Sequence, residues 1–133
     1  MKTLFVYVFG LFLTATLVTA FIPSPEQNKP WIVPDSYKTK KNPVAYDKTA
    51  AAALYSTHCK SCHGKEGLGD GTKAAQLDTK CGDFSTATFQ KQTDGSLFYK
   101  TSIGRDDMPA FNKKIPDEED IWQLVHYMRG MAE

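Results

Sequence analysis

The stretch Cys59-Lys60-Ser61-Cys62-His63 decides how the rest of the chain is read. At a helix end, two cysteines spaced C-x-x-C turn their thiols to one side at a fixed separation. The residue that follows points an imidazole to the same side. The chain upstream supplies the helix. Asp47 is a good N-cap, and Lys48 to His58 carries an alanine run with Leu54 and Tyr55. Downstream, glycines at 64, 67, 69 and 71 make a loop that tolerates positive φ and lets backbone approach something flat.

Three chemistries compete for such a motif. A redox dithiol of thioredoxin type needs a βαβ context, and no period-two alternation is sustained along the chain. A structural zinc site needs four ligands. Cys81, His58 and His126 could add to the pair, but their spacing matches no zinc ribbon. C-x-x-C followed by histidine reads instead as the attachment point of one c-type haem, with thioethers from Cys59 and Cys62 and with His63 as an axial ligand of the iron. Ligation through one ring nitrogen leaves the other N–H in need of an acceptor, expected to be a backbone carbonyl of the glycine loop.

Met108 is the candidate for the second axial position. It lies 45 residues beyond His63, in a loop that follows Gly104 and precedes Pro109. A loop methionine can cross the far face of a haem, and its thioether is a soft ligand that favours ferrous iron. The competing reading is a methionine that fills a gap in the core. His126, between Val125 and Tyr127, is the rival ligand and otherwise a core-edge histidine. Met128 and Met131 read as packing or exposed residues, His58 as facing solvent, and Cys81 as an incidental or buried thiol.

The remaining elements are helical. Thr93 or Asp94 caps a helix over residues 95–102, which Gly104 stops. Asp117 caps a last helix whose first turn is filled with carboxylates, where the helix dipole favours negative charge. Ile121, Trp122, Leu124, Val125 and Met128 recur along one face of it. The expected fold class is therefore all-α: three main helices joined by irregular loops, with a further short helix near residues 73–77.

Bulk properties agree with a small cofactor domain. A chain of 133 residues suits one domain. A formal net charge of +1 gives no field that points to nucleic acid. Eight Phe, six Tyr and two Trp suit a core built around a flat apolar group. Three cysteines are too few, and odd in number, for a disulfide scaffold. From Asp47 onward there are 11 Lys and Arg against 13 Asp and Glu, so no basic docking face is expected.

Residues 1–20 read as a signal peptide: Lys2, an apolar run, then Val18 and Ala20 before Phe21. An N-terminal membrane anchor through residues 4–22 is the alternative. Either one delivers the rest to a periplasmic or other extracytoplasmic location. Residues 21–46 hold five of the seven prolines and read as an extended linker, with Trp31, Ile32 and Val33 expected to dock as a wrap. Residues 47–133 form the domain.

On these residues the chain resembles the class I monohaem c-type cytochrome family, over about residues 47–131. Ala51 and Tyr55 match the small residue and aromatic of the family's first helix, in register with Cys59. Trp122, Leu124 and Tyr127 match its last helix, and residues 104–111 match its methionine-ligand loop. The resemblance implies a small cytochrome c fold, with three main helices and loops wrapped around one covalently bound haem c. It also implies an electron carrier rather than an enzyme, with His63 and Met108 as iron ligands and redox proteins as donor and acceptor. A haem-bearing subunit of a larger oxidoreductase complex, and an open-site haem enzyme or gas sensor, stay as alternatives. The chain departs from the family in having alanine at 51 and no proline soon after His63, which leaves the imidazole's acceptor unassigned.

Overall fold

The computed structural model describes residues 29–132. The expected signal or anchor lies outside the described residues. Among those described, no helix is long and apolar enough to cross a membrane.

Among the described residues six α-helices follow one another: α1 (Asp35–Lys38), α2 (Lys48–His58), α3 (Lys60–His63), α4 (Ala87–Gln90), α5 (Asp94–Ile103) and α6 (Glu118–Arg129). Single 3₁₀ turns lie at Ala74–Gln76, where a short helix was expected, and at Phe111–Lys113. The described residues contain no β-strand, only an isolated bridge between Arg105 and Met108.

Helix ends follow the local chemistry. The Asp47 carboxylate accepts from the Thr49 and Ala50 amides at 2.9 and 3.0 Å. Thr93, not Asp94, caps α5, accepting from the Ser96 amide. Gly104 ends α5 with φ +68°, a conformation in which an added Cβ would run into the backbone of Met108 and Pro109. The Asp117 side chain caps α6 by accepting from the Glu119 amide at 2.9 Å.

The three long helices enclose the core. α2 crosses α6 at Ala51, which is wholly buried. The Tyr55 and Tyr127 rings meet beside the crossing, 4.8 Å apart. The Phe98 ring of α5 stacks on Trp122 of α6 at 4.1 Å. Ile121, Leu124 and Val125 are the most deeply buried large side chains. Arg129 closes the far end. Its guanidinium donates to the Asp94 carboxylate at 2.7 and 2.9 Å and to the Gln90 and Gln92 carbonyls at 2.7 and 2.5 Å, so it binds the last turn of α6 to the start of α5.

The stretch expected as a linker is packed onto the domain from residue 29 onward. Its composition does favour extended chain, but several contacts hold it down as a strap. Val33 is buried and Tyr37 packs on Phe98 and Tyr99, while Ile32 faces solvent. The Lys40 carbonyl accepts from the Gly95 amide at 3.2 Å, which needs a glycine there because a Cβ would strike the Tyr37 carbonyl. Asn42 donates to the Trp122 carbonyl at 2.9 Å, and the His126 ring lies 2.9 Å from the Val44 carbonyl.

The crossing gives a graded prediction. Ala51→Leu is expected to destabilise the protein by about 1–3 kcal/mol through overpacking. Ala51→Gly is expected to cost only about 1 kcal/mol, the usual penalty of glycine within a helix. Denaturant unfolding of the two variants checks the order.

Candidate functional site

The backbone of the motif is anchored before its side chains come into play. Cys59 ends α2 and begins α3, with its own amide bonded to the Tyr55 carbonyl at 2.9 Å. Helix α3 ends at His63 and leaves its last carbonyls without helical partners. The following loop supplies them: the Lys73, Gly71 and Gly69 amides donate to the carbonyls of Ser61, Cys62 and His63 at 2.8, 3.1 and 2.9 Å. The Tyr55 hydroxyl donates to the Gly64 carbonyl at 2.8 Å, which ties the turn after His63 to the helix crossing.

Cys59, Cys62, His63 and Met108 all line one cavity of about 570 Å³. That volume lies within the range of about 300–1,000 Å³ usual for small-molecule and cofactor sites. Phe84, Phe89, Leu97, Phe111 and Met128 make much of the remaining wall apolar, and Trp31, Lys100 and Arg105 form a cationic and aromatic part of it. The Cys59 thiol is pushed up to about 12, mainly by burial and secondarily by Cys62, so while free it stays protonated at neutral pH. Burial holds the His63 imidazole below its ordinary value, against a smaller opposing effect from the Gly82 carbonyl. The neutral ring this favours is the form that ligates a metal.

His63 is set by neighbours that sequence reasoning missed. Its ring stacks on Phe84 at 4.5 Å, and Phe84 stacks on Phe89 at the same distance. Phe84 is placed by its amide bond to the Gly67 carbonyl at 2.8 Å and by Gln90, whose amide donates to the carbonyls of Phe84 and Met128 at 2.7 and 2.9 Å. Nothing in the local sequence marks Phe84, because its role comes from folding the 72–83 segment back over the motif. His63 Nδ1 is buried without a hydrogen bond of ordinary geometry. The backbone group acting on the ring is that of Gly82, outside the glycine loop where the acceptor was expected.

Met108 sits at the end of a closed loop. The Arg105 amide donates to the Met108 carbonyl at 2.8 Å, and the Met108 amide returns a bond to the Arg105 carbonyl at 2.9 Å. Asp106, between them, has φ +53°, the one non-glycine in the left-handed region among the described residues. On the loop's other shoulder, Asp107 accepts from the Thr79 amide at 2.7 Å.

The other sequence candidates separate clearly. His126 does not line the cavity; it packs beside Tyr46 and the Val44 carbonyl. Met128 is buried in the core and lines the cavity, and Met131 packs against the core. His58, expected to face solvent, is half-buried on the cavity wall, edge-on to Phe111. Cys81 is a free thiol on the same wall. No group of three or more His, Cys, Asp or Glu among the described residues could hold a metal ion.

The cavity fits an iron porphyrin. Two thiols and one imidazole reach it from consecutive turns. Apolar rings suit the porphyrin faces, and the cations suit its carboxylates.

The comparisons agree. No curated protein matches the sequence. A component of the Kuenenia stuttgartiensis reducing HAO-like protein complex Kustc0457/Kustc0458 is 28% identical with a TM-score of 0.60, covering 68% of this chain and 47% of that one. The structure named KustC0563 c-type cytochrome is also 28% identical, with a TM-score of 0.54 over 62% of this chain and 98% of that one. A family model described as cytochrome c oxidase, cbb3-type, subunit III matches residues 47–128, from the cap of α2 to the buried methionine of α6. That match takes in the C-x-x-C-H motif, the glycine loop and the Met108 loop, and the chain belongs to this family of haem-binding c-type cytochrome domains.

Proposed function

We propose that the protein is an extracytoplasmic electron carrier with one covalent haem c, attached through Cys59 and Cys62 and ligated axially by His63 and Met108. The observation that carries the reading is the convergence of these four side chains on one cavity. When bound, the haem supplies a one-electron couple between ferrous and ferric iron. The protein's part is to hold that couple still. Phe84 fixes the plane of the His63 ring, and burial keeps the ring neutral. Met108 offers a soft sulfur from a loop closed on itself, which biases the couple toward the ferrous form. Phe89, Leu97, Phe111 and Met128 limit water in the cavity, which raises the potential in the same direction. Redox proteins would serve as donor and acceptor.

A second reading is favoured by the larger relative, of which this chain spans 47% and which belongs to a multi-protein complex. In it the domain is a fixed wire inside a larger oxidoreductase. Sizing of native extracts separates the two: a shuttle migrates alone, and a subunit co-migrates with its complex.

Protein exported from a haem-competent host is expected to give a c-type pyridine haemochrome and to keep its colour in acidified organic solvent. A Cys59→Ala/Cys62→Ala double variant is expected to release any pigment it holds into that solvent. Met108→Leu is expected to abolish the sulfur-to-iron band in the near infrared and to let the reduced protein bind carbon monoxide readily. Its midpoint potential should fall by at least about 59 mV, the equivalent of a tenfold loss of ferrous preference. Spectra and potential unchanged by this substitution would remove Met108 from the iron.

A further inference from the structure

The strap and the Met108 loop touch at one place. Arg105 opens the loop, and its backbone pairs with that of Met108 in both directions. Its guanidinium carbon lies 4.6 Å from the centre of the Trp31 ring. The same guanidinium donates through Nη1 to the Lys29 carbonyl at 3.2 Å and pairs through Nε with Asp106 at 3.1 Å. Lys100 reaches the Trp31 ring as well, at 5.5 Å, and donates to Gln92 Oε1. Trp31 is thus an aromatic plate within reach of two cations, on the wall of the haem cavity.

Neither side of this contact is free to drift alone. Behind Trp31 the strap is fastened by Val33, Tyr37, Lys40, Asn42 and Val44. Ahead of Arg105, Gly104 fixes the end of α5. Between Gly104 and Pro109, Met108 packs against the core, while Asp106 and Asp107 are exposed and the Asp107 carboxylate, accepting from the Thr79 amide, is the tether on the other shoulder.

We propose that Trp31 is a positioning residue for the axial methionine: by gripping Arg105 it latches the Met108 loop over the haem. The latch rests on the reading of Met108 as the iron's sulfur ligand. Its physical content is a shift of population. A loop that opens and closes gives the sulfur to iron only in the closed state, and a contact made only in that state raises its share. A cation–π contact is worth a factor of about 2 when exposed and about 30 when desolvated. The half-buried setting of Trp31 and Arg105 lies between those limits.

The test uses the full exported, haem-loaded protein. Carbon monoxide is mixed with the reduced form, and the near-infrared sulfur band is read in the oxidised form. Trp31→Ala is expected to speed carbon monoxide binding about 3- to 30-fold and to weaken the sulfur band, while the pyridine haemochrome per protein stays constant. Trp31→Phe, which keeps a ring face, is expected to restore most of the wild-type behaviour, and Trp31→Leu is not. Ile32→Ala, at the exposed neighbouring position, is expected to match wild type. If Trp31→Ala does not accumulate, Arg105→Gln opens the same contact from the loop side and is expected to give the same acceleration. Wild-type rates and band in Trp31→Ala or in Arg105→Gln would overturn the latch, as would full rescue by leucine. A wild-type protein without the sulfur band would instead overturn Met108 as ligand, so the two failures are distinguishable.

Discussion

The structure depends on how closely the backbones of α2 and α6 approach at Ala51. A side chain one methyl long lets the two helices cross in contact, and that crossing aims the end of α2 at the cavity. Tyr55, one turn further on, carries the constraint forward: its ring packs on Tyr127 and its hydroxyl holds the Gly64 carbonyl just past the motif. Cys59, Cys62 and His63 therefore inherit their placement from the crossing. The glycine loop then satisfies the carbonyls of α3, so the motif is held from behind by backbone and in front by packing.

The proximal side is organised by aromatic contact more than by hydrogen bonding. His63 lies against Phe84, and Phe84 against Phe89, in a three-ring stack whose far end belongs to α4. Gln90, also on α4, binds the Phe84 carbonyl and the Met128 carbonyl, which links that stack to α6. Burial holds the His63 ring below its ordinary pKa, and the Gly82 backbone opposes that only in part.

Most of this was legible where a local rule had only local competitors. The C-x-x-C-H motif, the caps at Asp47 and Asp117, the stop at Gly104 and the apolar face of α6 are all read within a few residues of themselves. What escaped depends on partners distant in sequence. Phe84 looks like one more aromatic until the chain folds back over His63. His58 was assigned to solvent because nothing beside it in sequence shows that Phe111 comes up to its ring. The strap is the clearest case. Proline-rich composition favours extended chain, yet α1 is a helical turn within this stretch, and docking depends on Gly95, Phe98, Arg105 and Trp122, which lie some fifty to ninety positions away.

Gly95 carries a consequence for comparing this chain with others. The strap passes so near the first turn of α5 that the Tyr37 carbonyl occupies the space where a side chain would begin. The route of the N-terminal segment is thus encoded by a missing carbon in a helix that the segment itself precedes. Among cytochromes of this architecture, residue size at this single site should sort those whose leading segment can embrace the domain from those in which it must take another course.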